Sequence, residues 1–177
     1  MRMVVDASVA RSAGLGRPDA GPPSPQAVAA LDAVRDGGHQ VVSSPALEQE
    51  WDRHARDYAL RWLGNMVARK RYVYIRDTWA EEAALLERAA DLAPSKREAV
   101  AKDVHLVGLA MLTDRRVLSL DDQQARLLQD LPDLPRQVHA LHWVSPRDPR
   151  AVPWLLEGAH DAPTLCLGAL QDSRQDR

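Results

Sequence analysis

Met3-Val4-Val5-Asp6-Ala7-Ser8 decides the fold of this chain. Met3, Val4 and Val5 form a continuous apolar run that reads as a short strand over residues 2–5, buried on both faces. The run stops on a carboxylate. A second run has the same design: Val117-Leu118-Ser119-Leu120 leads into Asp121, and Arg116 to Leu120 reads as another strand. Gln40 to Ser43 reads as a strand between them, and Val138 to Val144 as a further one.

Helical patterns separate these strands. Ser24 is a good N-cap with Pro25 at the first helical position, and Val28, Leu31 and Val34 follow at helical spacing until Gly37-Gly38 stops the helix. Ser44-Pro45 opens a longer helix whose apolar face carries Leu47, Trp51, Ala55, Tyr58, Trp62 and Met66. Thr78 with Glu81 and Ser95 with Glu98 match the capping-box pattern, the second ahead of a helix from Lys96 to Thr113. Short helices are expected over Gln123–Leu128 and Pro153–Glu157. The stretch from Ala13 to Ser24 reads as a loop. Its Gly14-Leu15-Gly16 lacks the rest of a dinucleotide fingerprint and carries little weight. Strands alternating with helices imply parallel pairing through right-handed crossovers, hence a three-layer α/β/α sandwich with a mainly parallel central sheet. In such sheets ligands bind outside the carboxyl ends of the strands, where Asp6 and Asp121 both fall.

Bulk composition sets the frame. A length of 177 residues suits one domain, and 45% hydrophobic with 27% charged residues is ordinary for a soluble globular protein. The net charge of −2 argues against a dedicated nucleic-acid coat protein but leaves room for a local basic patch. Cys166 stands alone, which excludes an intramolecular disulfide and a Cys-rich zinc site and fits a reducing cytosol. No apolar run reaches membrane-span length, and the first acid arrives too soon for a signal peptide, so a cytoplasmic protein is expected.

Four acids stand out by position. Asp6 and Asp121 end strands, and Glu50 lies early in the helix after Ser44-Pro45. Asp103 shares a helix face with Leu106, Val107 and Ala110. Like charges gathered in a partly desolvated site repel, and the usual remedy is a divalent cation. All-oxygen ligands suit Mg²⁺ or Mn²⁺ rather than Zn²⁺. Periodicity does not choose between Glu50 and Glu48, and Asp122 directly follows Asp121. His105 points roughly 200° around the helix from Asp103. Arg69, Lys70 and Arg71, followed by Tyr72 and Tyr74, are candidate RNA contacts, though a solvated helix end reads the same way. The Trp and Tyr residues from Trp51 to Trp62 suit a core or a dimer interface.

The order Asp, Glu, Asp, Asp on these elements resembles the PIN-domain ribonucleases, including the VapC-type toxins. Val4-Val5-Asp6-Ala7-Ser8 looks like the first strand and acid of that family. Ser44 to Trp51 looks like its second motif, whose register selects Glu50 and leaves Glu48 as runner-up. Asp103 to Ala110 looks like the third, and Val117 to Asp121 the fourth. The resemblance spans roughly Met3 to Val144. It implies a nuclease domain over 1–146 and does not explain the chain beyond Pro146, where a C-terminal extension over 147–170 packed on the same domain is expected and the polar residues 171–177 read as a disordered tail. It further implies that Asp6, Asp103 and Asp121 hold Mg²⁺ or Mn²⁺, with Glu50 completing the shell or orienting water. Ser119 and Ser8 would orient the acids, with Asp122 a further contributor. The implied activity is endoribonuclease cleavage leaving a 5′-phosphate and a 3′-hydroxyl. An antitoxin placing an Arg in the acid site and a homodimer are the implied partners. The long segment from Trp51 to Pro94 and the Gly/Pro-rich loop after Asp6 depart from the smallest family members. A metal-dependent adhesion domain fits less well, because Asp6-Ala7-Ser8-Val9-Ala10 lacks a second Ser; a receiver domain would need an acidic pair at Asp6. The serious rival is a PIN-like module that binds RNA or protein with little catalysis.

Overall fold

The computed structural model describes residues 1–14 and 22–169. Five strands form one sheet: β1 (Arg2–Val5), β2 (Gln40–Ser43), β3 (Tyr72–Tyr74), β4 (Arg116–Leu118) and β5 (His142–Val144). They lie in the order β3-β2-β1-β4-β5, and all four pairings are parallel. Nine helices flank the sheet among the described residues: α1 (Ala7–Ala13), α2 (Pro25–Asp36), α3 (Pro45–His54), α4 (Asp57–Ala68), α5 (Glu82–Arg88), α6 (Pro94–Met111), α7 (Asp122–Gln129), α8 (Arg136–His139) and α9 (Ala151–Leu156). The expected three-layer α/β/α sandwich is the fold observed.

The chain order explains the layers. From β1 to β3 each connection steps toward one edge, through α1 to α4. After β3 the chain returns across the sheet through α5 and α6, then steps the other way through α7 and α8. Right-handed crossovers place connections running in opposite directions on opposite faces. Accordingly α1 packs with α2, α3 and α4, and α2 with α9, while α5, α6 and α7 pack together. The direction reverses between β1 and β4, and a crevice opens there at the carboxyl ends of the strands. Asp6 follows β1 and Asp121 lies just beyond β4.

Met3, Val4, Val5, Val42, Val117 and Leu118 are fully buried, as strands covered on both faces require. Trp51 and Trp62 stack with ring centroids 6.1 Å apart. Their indole N–H groups donate to the carbonyls of Val5 (2.9 Å) and Leu31 (2.6 Å), so both rings belong to the core. Leu155, Leu165 and Leu167 belong to the same buried cluster as the sheet. No helix among the described residues is long and apolar enough to cross a membrane.

Several local expectations change. The helix opened by Ser44 is two helices: Ala55 and Arg56 are extended, and α4 starts afresh at Asp57. The break lies where α1 ends, because a Cβ on Gly14 would fall 1.7 Å from the Cβ of Arg56. Neither capping box forms. The helix with Thr78 and Glu81 ahead of it begins at Glu82 without a side-chain cap, and Pro94 starts α6 before Ser95 can act. Strand β5 begins at His142 rather than Val138, since Arg136–His139 is helical. Strand β3 and helix α1 were not foreseen, being short and, in β3, only half-covered. Gly16 and the tail from Gln171 lie outside the described residues.

Candidate active site

Local geometry aims Asp6 first. It caps α1, and its Oδ1 accepts the Ser8 amide at 3.2 Å. Its Oδ2 accepts two hydroxyls, from Ser8 at 2.5 Å and from Ser119 at 2.6 Å. Ser119 is fully buried and also accepts the Asp121 amide at 3.0 Å, so one hydroxyl links two acids. The Ser8 hydroxyl accepts the Leu120 amide at 3.1 Å, which ties the start of α1 to the loop after β4. Asp121 caps α7 through Oδ1, which accepts the Gln124 amide at 2.8 Å. The capping and functional readings of Asp121 therefore coexist on one carboxylate.

Asp103 reaches the same place from α6. Asp6 is 7% exposed and Asp103 8%, yet among the described residues the ion pair of Asp103 is a 3.7 Å contact with Lys102, a well-exposed side chain. Desolvation pushes the Asp103 carboxyl up to about 6; Lys102 opposes this, and Asp6, Glu50 and Asp121 add to it. Glu50 arrives on α3, which the Trp51 indole anchors to the last carbonyl of β1. Together Asp6, Glu50, Asp103 and Asp121 line one cavity of about 110 Å³, along with Ser8, Arg11, Arg53, His54 and Lys102.

The remaining expected residues lie elsewhere. Glu48 accepts the Tyr72 hydroxyl at 2.5 Å and lines a separate cavity beneath α3, with Val5, Val42 and Leu47. Asp122 faces away, with Oδ2 3.5 Å from the Arg147 guanidinium. Arg69, Lys70 and Arg71 precede β3, so they sit at the amino edge of a parallel sheet. The Arg71 carbonyl accepts from Val41 there, as the Met1 carbonyl accepts from Gln40. The acid cavity is at the opposite edge, and the basic side chains lining it are Arg11, Arg53, Lys102 and the His54 imidazole. Arg53 and His54 were legible as residues three and four positions after Glu50 on one helix; Arg11 needed α1 to be recognised.

His105 turns away from Asp103, as its helical angle requires, but meets Glu50. Its Nδ1 donates to the Lys102 carbonyl at 3.0 Å, and its Nε2 lies 3.7 Å from Glu50 Oε2 with no hydrogen bond of its own. Among the described residues no group of three or more His, Cys, Asp or Glu side chains is arranged to hold a metal ion. The four acids thus share a cavity without forming a closed ligand shell. Their chemistry suits a hard cation: all are oxygen donors, and their repulsion is only partly offset by Lys102. No protein-family model, no curated protein and no solved structure matches this chain.

Proposed function

We propose that this chain is a Mg²⁺- or Mn²⁺-dependent endoribonuclease with a PIN-like site. The convergence of Asp6, Glu50, Asp103 and Asp121 from four separate elements on one cavity at the sheet's switch point carries this reading. Asp6, Asp103 and Asp121 would hold the cation. A bound cation would neutralise charge building on the phosphodiester and make water a stronger nucleophile. Ser8 and Ser119 hold Asp6 in one orientation, so its free lone pairs point consistently. Glu50 orients water and takes up its proton at a carboxylate oxygen. Arg11, Arg53 and Lys102 attract the polyanion to a wall that would otherwise repel it.

Purified protein incubated with a mixed RNA panel tests this reading. Cleavage is expected with Mn²⁺, and EDTA or Asp103→Asn should abolish it. Glu50→Gln should slow it by roughly a hundredfold or more, the scale of a lost general base. Glu48→Gln should leave it nearly unchanged. Cleavage that survives both EDTA and Asp103→Asn would sink the proposal. The rival reading is a binding module; folded protein that retains RNA with no turnover would establish it. The toxin role, the antitoxin and the homodimer rest on the resemblance alone. Growth arrest on expression, absent for Asp103→Asn, is the expected outcome for a toxin.

A further inference from the structure

Next to the acid cavity lies a second one of about 220 Å³, between the start of α3, the segment after β3, α5 and α6. The two abut at His105, which lines the second cavity and stands 3.7 Å from Glu50, which lines the first. The walls of this second cavity carry Arg76, Asp77, Thr78, Trp79, Glu82 and Gly108. We propose that it is a base-recognition subsite for guanine in single-stranded RNA, beside the bond to be cut. Its place in catalysis rests on the nuclease reading; its binding chemistry does not.

Unspent polar groups are the first argument. Glu82 is half-buried, and its carboxylate has no hydrogen-bond or ion-pair partner among the described residues. The same holds for the Trp79 indole N–H and the Thr78 hydroxyl. The Arg76 guanidinium lies over the Tyr74 ring, 5.8 Å from its centroid, and meets no carboxylate among the described residues. These groups are satisfied by water in the free protein and are available to a ligand that offers matching donors and acceptors.

Gly108 is the second argument. A Cβ there would lie 2.5 Å from Glu82 Oε2 and 3.5 Å from the Trp79 Cβ. The missing side chain lets the carboxylate settle against α6 at the foot of the cavity. Trp79 is only partly buried, packing against the core while it also lines the opening.

Base chemistry then selects the occupant. An indole stacks on any base, while an ionised carboxylate only accepts hydrogen bonds. Guanine alone presents two neighbouring donors, N1–H and the N2 amino group, to two carboxylate oxygens. Adenine and cytosine place a ring acceptor beside their amino group, and uracil places its one N–H between two carbonyls. Arg76 is left for the phosphate.

The test uses metal-free protein in EDTA, so that binding is read without turnover. Guanosine, adenosine, cytidine and uridine 5′-monophosphates are titrated separately against ¹⁵N-labelled protein, and the indole N–H signals are followed. Guanylate should bind roughly tenfold or more tightly than the others and shift the Trp79 indole. Glu82→Gln removes one acceptor, and Gly108→Ala displaces the flexible end of Glu82; each should weaken guanylate about tenfold with the fold retained by melting. Equal affinity for all four nucleotides, or unchanged guanylate affinity in Glu82→Gln, would overturn the subsite. RNA cleavage without guanylate selectivity would likewise refute it and leave the nuclease standing. Selective guanylate binding without RNA cleavage would support the subsite and remove the nuclease reading.

Discussion

Asp103 is the residue at which burial and charge conflict most directly. Its carboxyl is raised from 3.8 to about 6, so the folded chain holds that proton more tightly than the unfolded one. The Asp103 contribution to stability of the metal-free protein therefore declines as pH rises from 3.8 to about 6 and stays lower above that window. That rise corresponds to at most about 3 kcal/mol. Asp103→Asn removes the charge and keeps the shape. In EDTA at pH 8 it should be more stable than wild type by about 1–3 kcal/mol, with no gain near pH 4. Urea denaturation at both pH values measures this; equal stability at pH 8 would mean that Asp103 is not the strained group. A residue that destabilises the empty fold yet organises its cavity is the pattern expected of a functional carboxylate.

Helix starts show how much an element owes to its own sequence. Ser24 Oγ accepts the Ala27 amide and Ser44 Oγ the Leu47 amide, both at 3.3 Å, with Pro in the first turn each time. These caps were legible because donor, acceptor and Pro lie within four residues. Ser95 shows the limit of the same pattern. Pro94 begins α6 with Ala93 at the cap position, so Ser95 lies inside the first turn and caps nothing. Ser24→Ala and Ser44→Ala should each cost about 1 kcal/mol, while Ser95→Ala should stay within about 0.5 kcal/mol. Chemical denaturation of the three variants checks the contrast, and a Ser95→Ala loss as large as the others would restore the capping box. The break between α3 and α4 is of another kind. Its apolar spacing runs on through Ala55, and the interruption falls where α1 crosses Arg56, far away in the chain.

At the scale of the whole molecule, two buried histidines tie distant parts together. His39, between α2 and β2, donates from Nε2 to the Leu155 carbonyl of α9 at 2.7 Å. His142 on β5 stacks on Trp154 of α9 at 5.5 Å and accepts the Ala162 amide at 3.0 Å. Desolvation lowers the pKa of both from the ordinary 6.5, so the folded protein keeps them neutral where the unfolded chain takes up protons. Below pH 6.5 the unfolded state binds more protons, and stability falls as pH falls. Asp103 acts in the opposite direction below about 6, so Asp103→Asn is the background that isolates the effect. In that background, stability should drop between pH 7 and 5.5, and His39→Gln should flatten the slope while lowering stability at pH 7. An unchanged slope would show that His39 does not carry the acid sensitivity.

The sequence by itself determined the layer architecture, because apolar runs and helical periodicity are written in neighbouring residues. It also determined which acids end strands, and it marked Ser8 and Ser119 beside them. Tertiary structure put Glu50 in the acid cavity and Glu48 in another. Their difference around the helix is small until Trp51 bonds to Val5 and Tyr72 takes Glu48. It placed Arg69, Lys70 and Arg71 at the far edge of the sheet, since a loop's edge follows only once β3 is known to be a parallel strand. It set His105 against Glu50 and Glu82 against Gly108, contacts between helices that no local pattern encodes. Local hydrogen bonding and spacing select elements; which side chains then meet depends on how those elements cross, and that is fixed by the packing of the whole chain.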